Sequence, residues 1–362
     1  MKNIYNKGNP GAPVWVIVER PYEKDAEKGY LFSSGLGYVW DKMMTSAGLR
    51  DYYVACRAPD LDDRHSYTII ENDINHYRPP IVIPLGDSGK HFCSELTSKP
   101  KKGEEEKTEL DKYAGSLLRS KLLNYDHFII PTYTPEKIVQ DWSLRDIVTS
   151  LDLGKAKSEL DYFRQHGALE SLPKRELRFD LSFDETIEYL HYFQSKDLLS
   201  VDIESIYTNM KSAFYPHPGY PISIGIADSP NLGVSFNLWW PDPEQNIKLW
   251  RELDKVFSNS RNLGQNYFNF DFPRLSSLGF NIDSSKIVDT MIRHHVLWPE
   301  LPHKLQFLTR QYTREPYYKD EGKRWSAKEL QSLRRYNCLD VCVTYEVYLK
   351  QEEEFDERPH LR

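Results

Sequence analysis

A chain of 362 residues suffices for two domains of ordinary size, and a composition 40% hydrophobic and 13% aromatic can bury real cores, which sets aside a disordered protein. The net charge of −7 argues against a sequence-independent nucleic-acid coat, though not against an enzyme on nucleic acid whose acidic site is neutralised by its own metals. No apolar run follows Met1 or approaches the roughly 18 residues needed to span a bilayer, so no signal peptide or membrane contact is expected and the protein reads as cytoplasmic. Cys56, Cys93, Cys338 and Cys342 fit reduced thiols. The last two, spaced i and i+4 on an expected helix, make half of a zinc site that no second pair completes, so they read as buried side chains.

Pro13 to Val18 is a strand-like run ending in Glu19-Arg20-Pro21, and the polar stretch Glu23 to Lys28 reads as a loop. Ser33-Ser34-Gly35-Leu36-Gly37 leads into a helical pattern of Val39, Met43, Met44 and Ala47 that Gly48 stops. Tyr52 to Ala55 is a second strand, and Ile69, Ile70, Ile74 and Tyr77 mark a helix that ends before Pro79-Pro80. Ile81 to Leu85 is a buried strand running into Gly86-Asp87-Ser88-Gly89 and a helix start; the charge run Lys99 to Lys107 is a solvated loop. Phe128 to Pro131 is a further strand, Thr132-Tyr133-Thr134-Pro135 follows it, and Leu144, Ile147, Leu151 and Leu153 begin a helix extending toward Phe163. Alternation of this kind specifies an α/β domain with a mostly parallel sheet. Arg20, Lys24, Arg57 and Arg64 fall in expected loops where they could touch phosphates, but exposed basic residues are usually just solvated.

This order of pieces resembles the uracil-DNA glycosylase superfamily, over roughly residues 12 to 160, through Gly35 to Leu49, Arg78 to Gly86, and Pro131-Thr132-Tyr133. The resemblance implies a three-layer α/β fold. Two family motifs are altered. The Gly-Glu-x-Pro-Gly pocket loop reads Val18-Glu19-Arg20-Pro21-Tyr22, and the His-Pro-Ser motif reads Thr134-Pro135-Glu136, without the histidine that would stabilise a leaving uracil. Only Cys56 and Cys93 lie in this half, short of the cysteines an iron–sulfur member needs. The expected first domain, residues 1–172, is therefore a non-catalytic scaffold or a surface for DNA or a partner.

The apolar period fades between Gln165 and Lys174, which places the boundary near residue 172 and a second domain over 173–362. Arg175 to Leu181 reads as a short strand, and Ser182 or Asp184 as the cap of a helix carrying Ile187, Leu190 and Phe193. Leu198 to Ser205 is a strand with an acidic end. Side chains alternate, so Asp202 and Glu204 share a face; two adjacent carboxylates repel unless a cation lies between them, and a hard divalent ion wants that oxygen pair. Alone, the pair reads more readily as acids that simply face water. Pro221 to Ala227 and Gly233 to Leu238, separated by turn-rich Asp228 to Asn231, form a hairpin, and Leu249, Leu253 and Phe257 give a helix. Asn262 to Asn266 starts a strand-to-helix transition in which Asp271 stands two residues before Pro273. Lys286 to Asp289 ends a strand, Thr290 to Val296 is a helix, and Ala327 to Gln351 is another, with Tyr336 and Asp340 on one face. Singly, Asp271 is a helix N-terminal acid, Tyr336 a packing aromatic and Asp340 a solvated charge; together with Asp202 and Glu204 they can converge on one point.

These segments resemble the DEDD family of proofreading-type 3′→5′ exonucleases in its tyrosine subtype, through Asp202-Ile203-Glu204, Gly264-Gln265-Asn266 to Phe270-Asp271, and Tyr336-x-x-x-Asp340. The likeness spans roughly residues 175 to 352 and is closer to the exonuclease domain of phage family A DNA polymerases, through Asp289-Thr290-Met291 and Leu301 to Leu308; some of those place a glycosylase-like domain first. It implies a ribonuclease H-like α/β domain with a mixed sheet and two Mg²⁺ or Mn²⁺ ions about 4 Å apart. In the implied roles Asp202 bridges both ions, Glu204 and Asp340 bind the one that activates water, Asp271 holds the other through water, and Tyr336 orients the attacking water. Asn266 touches the terminal nucleotide or orders its own loop, and Ser205 does likewise. Tyr207, Phe214, Tyr215 and Phe268 are candidates for stacking on bases. The implied function is removal of nucleoside 5′-monophosphates from single-stranded DNA 3′ ends, as proofreading in phage-type replication in a (host) cytoplasm. A family A DNA polymerase, as a separate subunit or a following part of the chain, is the implied partner. The alternatives are a non-catalytic docking or processivity subunit of a polymerase, a ribonuclease D-like RNA exonuclease, and a uracil-DNA glycosylase.

Overall fold

Short runs rich in Val, Ile and Tyr are extended and buried, as their length and β-branching favour. In the computed structural model, which describes residues 6–57, 63–92, 110–206, 220–318 and 329–361, they build two separate sheets. The chain divides into two units, Met1–Leu172 with Arg314–Tyr317, and Pro173–Thr313 with Tyr318–Arg362.

The sheet of the first unit contains β1 (Asn6–Lys7), β2 (Val14–Val18), β3 (Tyr52–Cys56), β4 (Ile81–Pro84) and β5 (Phe128–Ile129), in the order β1-β3-β2-β4-β5. All neighbours are parallel except β1, which runs antiparallel to β3. The helices are α1 (Glu23–Lys28), α2 (Gly35–Ser46), α3 (Asp63–Tyr77), α4 (Ser88–Phe92), α5 (Leu110–Tyr113), α6 (Pro135–Gln140), α7 (Ser143–Ile147) and α8 (Gly154–His166). A single wide turn, Val148–Leu153, joins α7 to α8 and carries the buried Asp152, which accepts a hydrogen bond from Thr132. Trp15, Trp40, Met44 and Phe128 are among the side chains that fill the core.

Two local expectations are corrected. Glu23–Lys28 is a helix, not a loop, because Asp25 is buried and its carboxylate accepts from the backbone N–H groups of Phe32, Ser33 and Ser34. That bonding leaves no apolar period to read. Lys24 accordingly sits on α1, and Arg64 lies in α3 rather than in a loop. The turn after β5 also holds an unexpected helix, α6, where Thr134 is the N-cap and accepts from the Lys137 N–H at 3.3 Å. Cys93, the charge run 99–107, Tyr207, Phe214 and Tyr215 lie outside the described residues.

The second unit holds β6 (Glu176–Arg178), α9 (Phe183–Phe193), β7 (Leu198–Ile206), β8 (Tyr220–Ser229), β9 (Leu232–Asn237), α10 (Pro243–Asn259), β10 (Arg261–Gly264), α11 (Asp271–Ser277), β11 (Ile287–Asp289), α12 (Thr290–Leu297), α13 (Leu305–Tyr312) and α14 (Glu329–Glu357). Ser182 caps α9 through a reciprocal bond with Glu185, and Asp242 with Pro243 starts α10. The sheet order is β11-β10-β7-β8-β9-β6. β7, β8 and β9 are an antiparallel meander, β10 and β11 run parallel to β7, and β6 pairs parallel with β9. This is a mixed sheet with β6 added at one edge.

One face of that sheet packs Leu199, Val201, Ile203, Ile224, Ile226, Val234 and Phe236 against side chains of α9 and α10, such as Leu190, Phe193, Leu253 and Phe257. The other face receives α14. Two glycines permit the approach: a Cβ on Gly225 would stand 2.7 Å from the Asn337 Oδ1, and one on Gly233 would stand 2.4 Å from the Cys338 carbonyl oxygen. Cys338 and Cys342 are buried against this face; Cys56 is buried in the first unit, and burial pushes its thiol up to about 12. Among the described residues no helix is long and apolar enough to cross a membrane.

Candidate active site

Alternation along β7 sends Val201 and Ile203 into the core and leaves Asp202 and Glu204, half-buried, on the face that α14 covers. Pairing with β8 slips between Glu204 and Ser205, a bulge that ends the regular strand just past the acids. Ser205, beyond it, is buried, and its hydroxyl has no hydrogen-bond partner among the described residues.

Asp271 arrives at this strand from the loop between β10 and α11. The loop turns on Asn266, a non-glycine residue at φ 58°. A buried carboxylate from β11 holds that turn: Asp289 accepts from the Asn266 N–H at 3.0 Å and the Phe268 N–H at 3.2 Å, while also capping α12 through the Met291 N–H at 2.9 Å. Asn266 Oδ1 accepts from Asn269 at 3.0 Å, so its side chain orders the loop. Tyr267 is fully buried, whereas Phe268 is exposed and meets Phe272 edge to face. Asp271 then opens α11, and its Oδ1 accepts from the Ile203 N–H at 2.9 Å, between the two acids of β7. Burial raises the Asp271 pKa well above the carboxylate range and the charge of Asp202 adds to this; the Ile203 N–H and the Arg274 guanidinium oppose it. Arg274 is fixed over the Phe270 ring at 3.7 Å and donates to the Phe270 carbonyl at 2.7 Å.

The third segment lies on α14. The Tyr336 hydroxyl is driven far above its ordinary value by burial first, then by the negative charges of Asp340, Asp202 and Glu204, with a hydrogen bond to Asp340. Three carboxylates thus act on one phenol, which stays protonated. Asp340 Oδ1 also accepts from the Tyr318 hydroxyl at 2.6 Å, and the two tyrosine rings lie 5.8 Å apart. Asp202 accepts from Asn337 Nδ2 at 2.7 Å.

The sequence reading gave no role in the site to Asp289, Asn337 or Tyr318, although it named Asp289 within a segment carrying the family resemblance. Asp289 carried a usable signal, since Asp-Thr-Met at the end of a strand is a helix-cap pattern. Asn337 and Tyr318 carried none, because their partners are supplied by folding alone.

The donor set fits a hard divalent cation in its chemistry: Asp202, Glu204, Asp271 and Asp340 offer only carboxylate oxygens, and Asp202 and Asp271 destabilise each other's charge. Among the described residues no three His, Cys, Asp or Glu side chains approach closely enough to ligate one ion together. The acids stand within range of each other's charge without closing into a ligand shell.

No protein-family model matches the chain, and neither does any curated protein sequence. Solved structures do. The catalytic core of RRP6 from Trypanosoma brucei matches with 16% identity and a TM-score of 0.38, over 53% of this chain and 50% of that one, so the match spans half the length of that relative. The Aedes aegypti Nibbler EXO domain matches with 16% identity and a TM-score of 0.39, over 52% of this chain and 94% of that one. Escherichia coli RNase D, an exoribonuclease involved in structured RNA processing, matches with 11% identity and a TM-score of 0.35, over 51% and 49%.

Proposed function

We propose that the second unit is a divalent-metal-dependent 3′→5′ exonuclease. The observation that carries this reading is the Tyr336 phenol, on which the charges of Asp340, Asp202 and Glu204 act together, with Asp271 bound to the backbone of the same acidic strand. Four hard-oxygen acids and one protonated phenol are the inventory that phosphodiester hydrolysis needs. Asp202, Glu204, Asp271 and Asp340 would hold Mg²⁺ or Mn²⁺. When bound, such ions lower the pKa of a water and neutralise charge on the leaving oxygen. The chain's own residues do the rest. Tyr336 keeps its proton and orients the attacking water by hydrogen bonding, the Ile203 N–H holds Asp271, and Tyr318 holds Asp340. Hydrolysis of the terminal phosphodiester breaks the bond from phosphorus to the 3′ oxygen and releases a nucleoside 5′-monophosphate.

The substrate we propose is the 3′ end of single-stranded DNA, in proofreading beside a family A DNA polymerase in a phage-type replication system. The motifs Asp202-Ile203-Glu204, Asn266 to Asp271 and Tyr336 to Asp340 support it by their resemblance to that branch. For the first unit we propose a non-catalytic role. Thr134, where a glycosylase would carry its histidine, is committed as the cap of α6, and its methyl lies against Gly86.

The test is digestion of 5′-labelled single-stranded DNA and RNA oligonucleotides of one sequence with Mg²⁺. Stepwise shortening of DNA from the 3′ end by the wild-type protein, lost in Asp202→Ala, is the expected result. Undiminished shortening by Asp202→Ala sinks the assignment. Preferential loss of RNA moves it to a ribonuclease D-like enzyme.

A further inference from the structure

Asp202 in β7, Gly225 in β8 and Ser235 in β9 are register partners, one row across three strands. Asn337 of α14 lies over that row. Its Nδ2 donates to the Asp202 backbone carbonyl at 3.1 Å and to Asp202 Oδ2 at 2.7 Å, while its Oδ1 accepts from Ser235 Oγ at 2.7 Å. The orientation of the amide follows from chemistry. A carbonyl and an ionised carboxylate only accept, so the NH₂ must face Asp202, and the oxygen is left for the Ser235 hydroxyl. Asn337 and Ser235 are both 0% exposed, so water does not compete for these bonds. Gly225 completes the cradle, since a Cβ there would stand 2.7 Å from Asn337 Oδ1 and 3.0 Å from the Asn337 carbonyl oxygen.

We infer that Asn337 is a positioning residue for the exonuclease site, locking the Asp202 carboxylate in one orientation through a Ser235–Asn337–Asp202 chain. The inference rests on the proposed exonuclease reading. Asp202 is the acid that most needs such a device. It lies on a strand two residues from Glu204, and it repels Asp271. An arginine or lysine in the place of Asn337 would hold the carboxylate equally well but would cancel the charge that attracts cations. A neutral amide supplies two hydrogen bonds and leaves that charge in place. Asn337 touches neither substrate nor water in this role; it acts through Asp202.

The full chain is titrated with Mn²⁺ by calorimetry, and its unfolding is followed in chelator. Asn337→Ala is expected to weaken Mn²⁺ binding about 10–100-fold, with the circular dichroism of the metal-free protein unchanged. The Mg²⁺ concentration for half-maximal exonuclease rate should rise by the same factor. A folded Asn337→Ala protein that binds Mn²⁺ within about threefold of wild type overturns the inference. Should Asn337→Ala fail to fold, Ser235→Ala decides. It keeps both donors to Asp202 but releases the anchor, so a weakening beyond about threefold is expected and a smaller change overturns the inference. Wild-type protein that neither binds Mn²⁺ nor shortens an oligonucleotide overturns the exonuclease reading, and this inference with it; wild-type binding with an unaltered Asn337→Ala removes this inference alone.

Discussion

Asp271 shows what it costs to build this site from like charges. It is buried, it faces Asp202, and its one neutral hydrogen-bond donor from β7 is the Ile203 N–H. A carboxyl whose folded pKa lies above its unfolded value weakens the fold once pH exceeds the unfolded value, because ionisation is then easier in the unfolded chain. Asp271→Asn keeps an acceptor for the Ile203 N–H and removes the charge. In chelator at neutral pH it should raise the unfolding temperature by about 2–4 °C, read by calorimetry, while lowering exonuclease activity about 10–100-fold. The pairing of Asp202 with Glu204 and of Tyr336 with Asp340 was legible in the sequence because a period of two and an i, i+4 spacing are local properties; Asp271 joined them only through the family resemblance. Their hydrogen-bond partners were not legible. Asn337 lies 135 residues from Asp202 and 102 from Ser235, and no local pattern encodes a contact that depends on strand register and on how a late helix docks.

Among the elements, α14 and the hairpin beneath it decide whether the site forms. Gly233→Ala places a methyl 2.4 Å from the Cys338 carbonyl oxygen and 2.8 Å from Cys342 Sγ, so helix and sheet must part. We expect a loss of about 1–3 kcal/mol in urea unfolding, with Mn²⁺ affinity falling as well. The helix α12 carries a second constraint. His294 shares a hydrogen bond with His303 at 2.7 Å between their Nδ1 atoms and meets Gln311 Oε1 at 2.9 Å, with His295 and the ring of Tyr312 also against the cluster. The His303 carbonyl accepts from Gln265, next to the turn at Asn266. Burial, with the neighbouring His303 and His295, holds His294 down to about 4, while Gln311 pulls the other way. The unfolded histidine takes its proton near 6.5 and the folded one only near 4, so this contribution is intact above about 6.5 and is lost as pH falls through that window. Urea midpoints measured from pH 7 to pH 4 should fall, and His294→Gln should flatten the fall. The hairpin, α10 and α9 were readable from turn residues, apolar spacing and a candidate cap at Ser182 or Asp184. The helices α1 and α6 were not, because a buried acid and a threonine cap sustain them in place of an apolar stripe.

At the scale of the whole molecule, the proposed exonuclease reading requires a net charge of −7 to coexist with a polyanionic substrate. On that reading association is expected to depend on bound divalent ions and local contacts. Fluorescence anisotropy with a labelled single-stranded oligonucleotide and Tyr336→Phe protein, which keeps all four acids, should give binding in Ca²⁺ that weakens about tenfold or more in chelator; equal affinity in both would place recognition on a cationic surface instead. The grouping of Asp202, Glu204, Asp271, Tyr336 and Asp340 as one set is what the resemblance to the DEDD exonucleases implies. By itself the sequence determined that the chain is α/β, which segments are strands and helices where apolar spacing is regular, that Asp202 and Glu204 share a strand face, and that Tyr336 and Asp340 share a helix face. Those are properties of neighbouring residues, and a period or a spacing records them. Only the tertiary structure decided that Asp289 holds the turn ahead of Asp271, that Tyr318 holds Asp340, and that Asn337, admitted by Gly225 and anchored by Ser235, holds Asp202. The physical reason is that a buried hydrogen bond needs two groups brought within 3 Å or so from distant parts of the chain. Strand register and the close docking of α14 over two glycines set that distance.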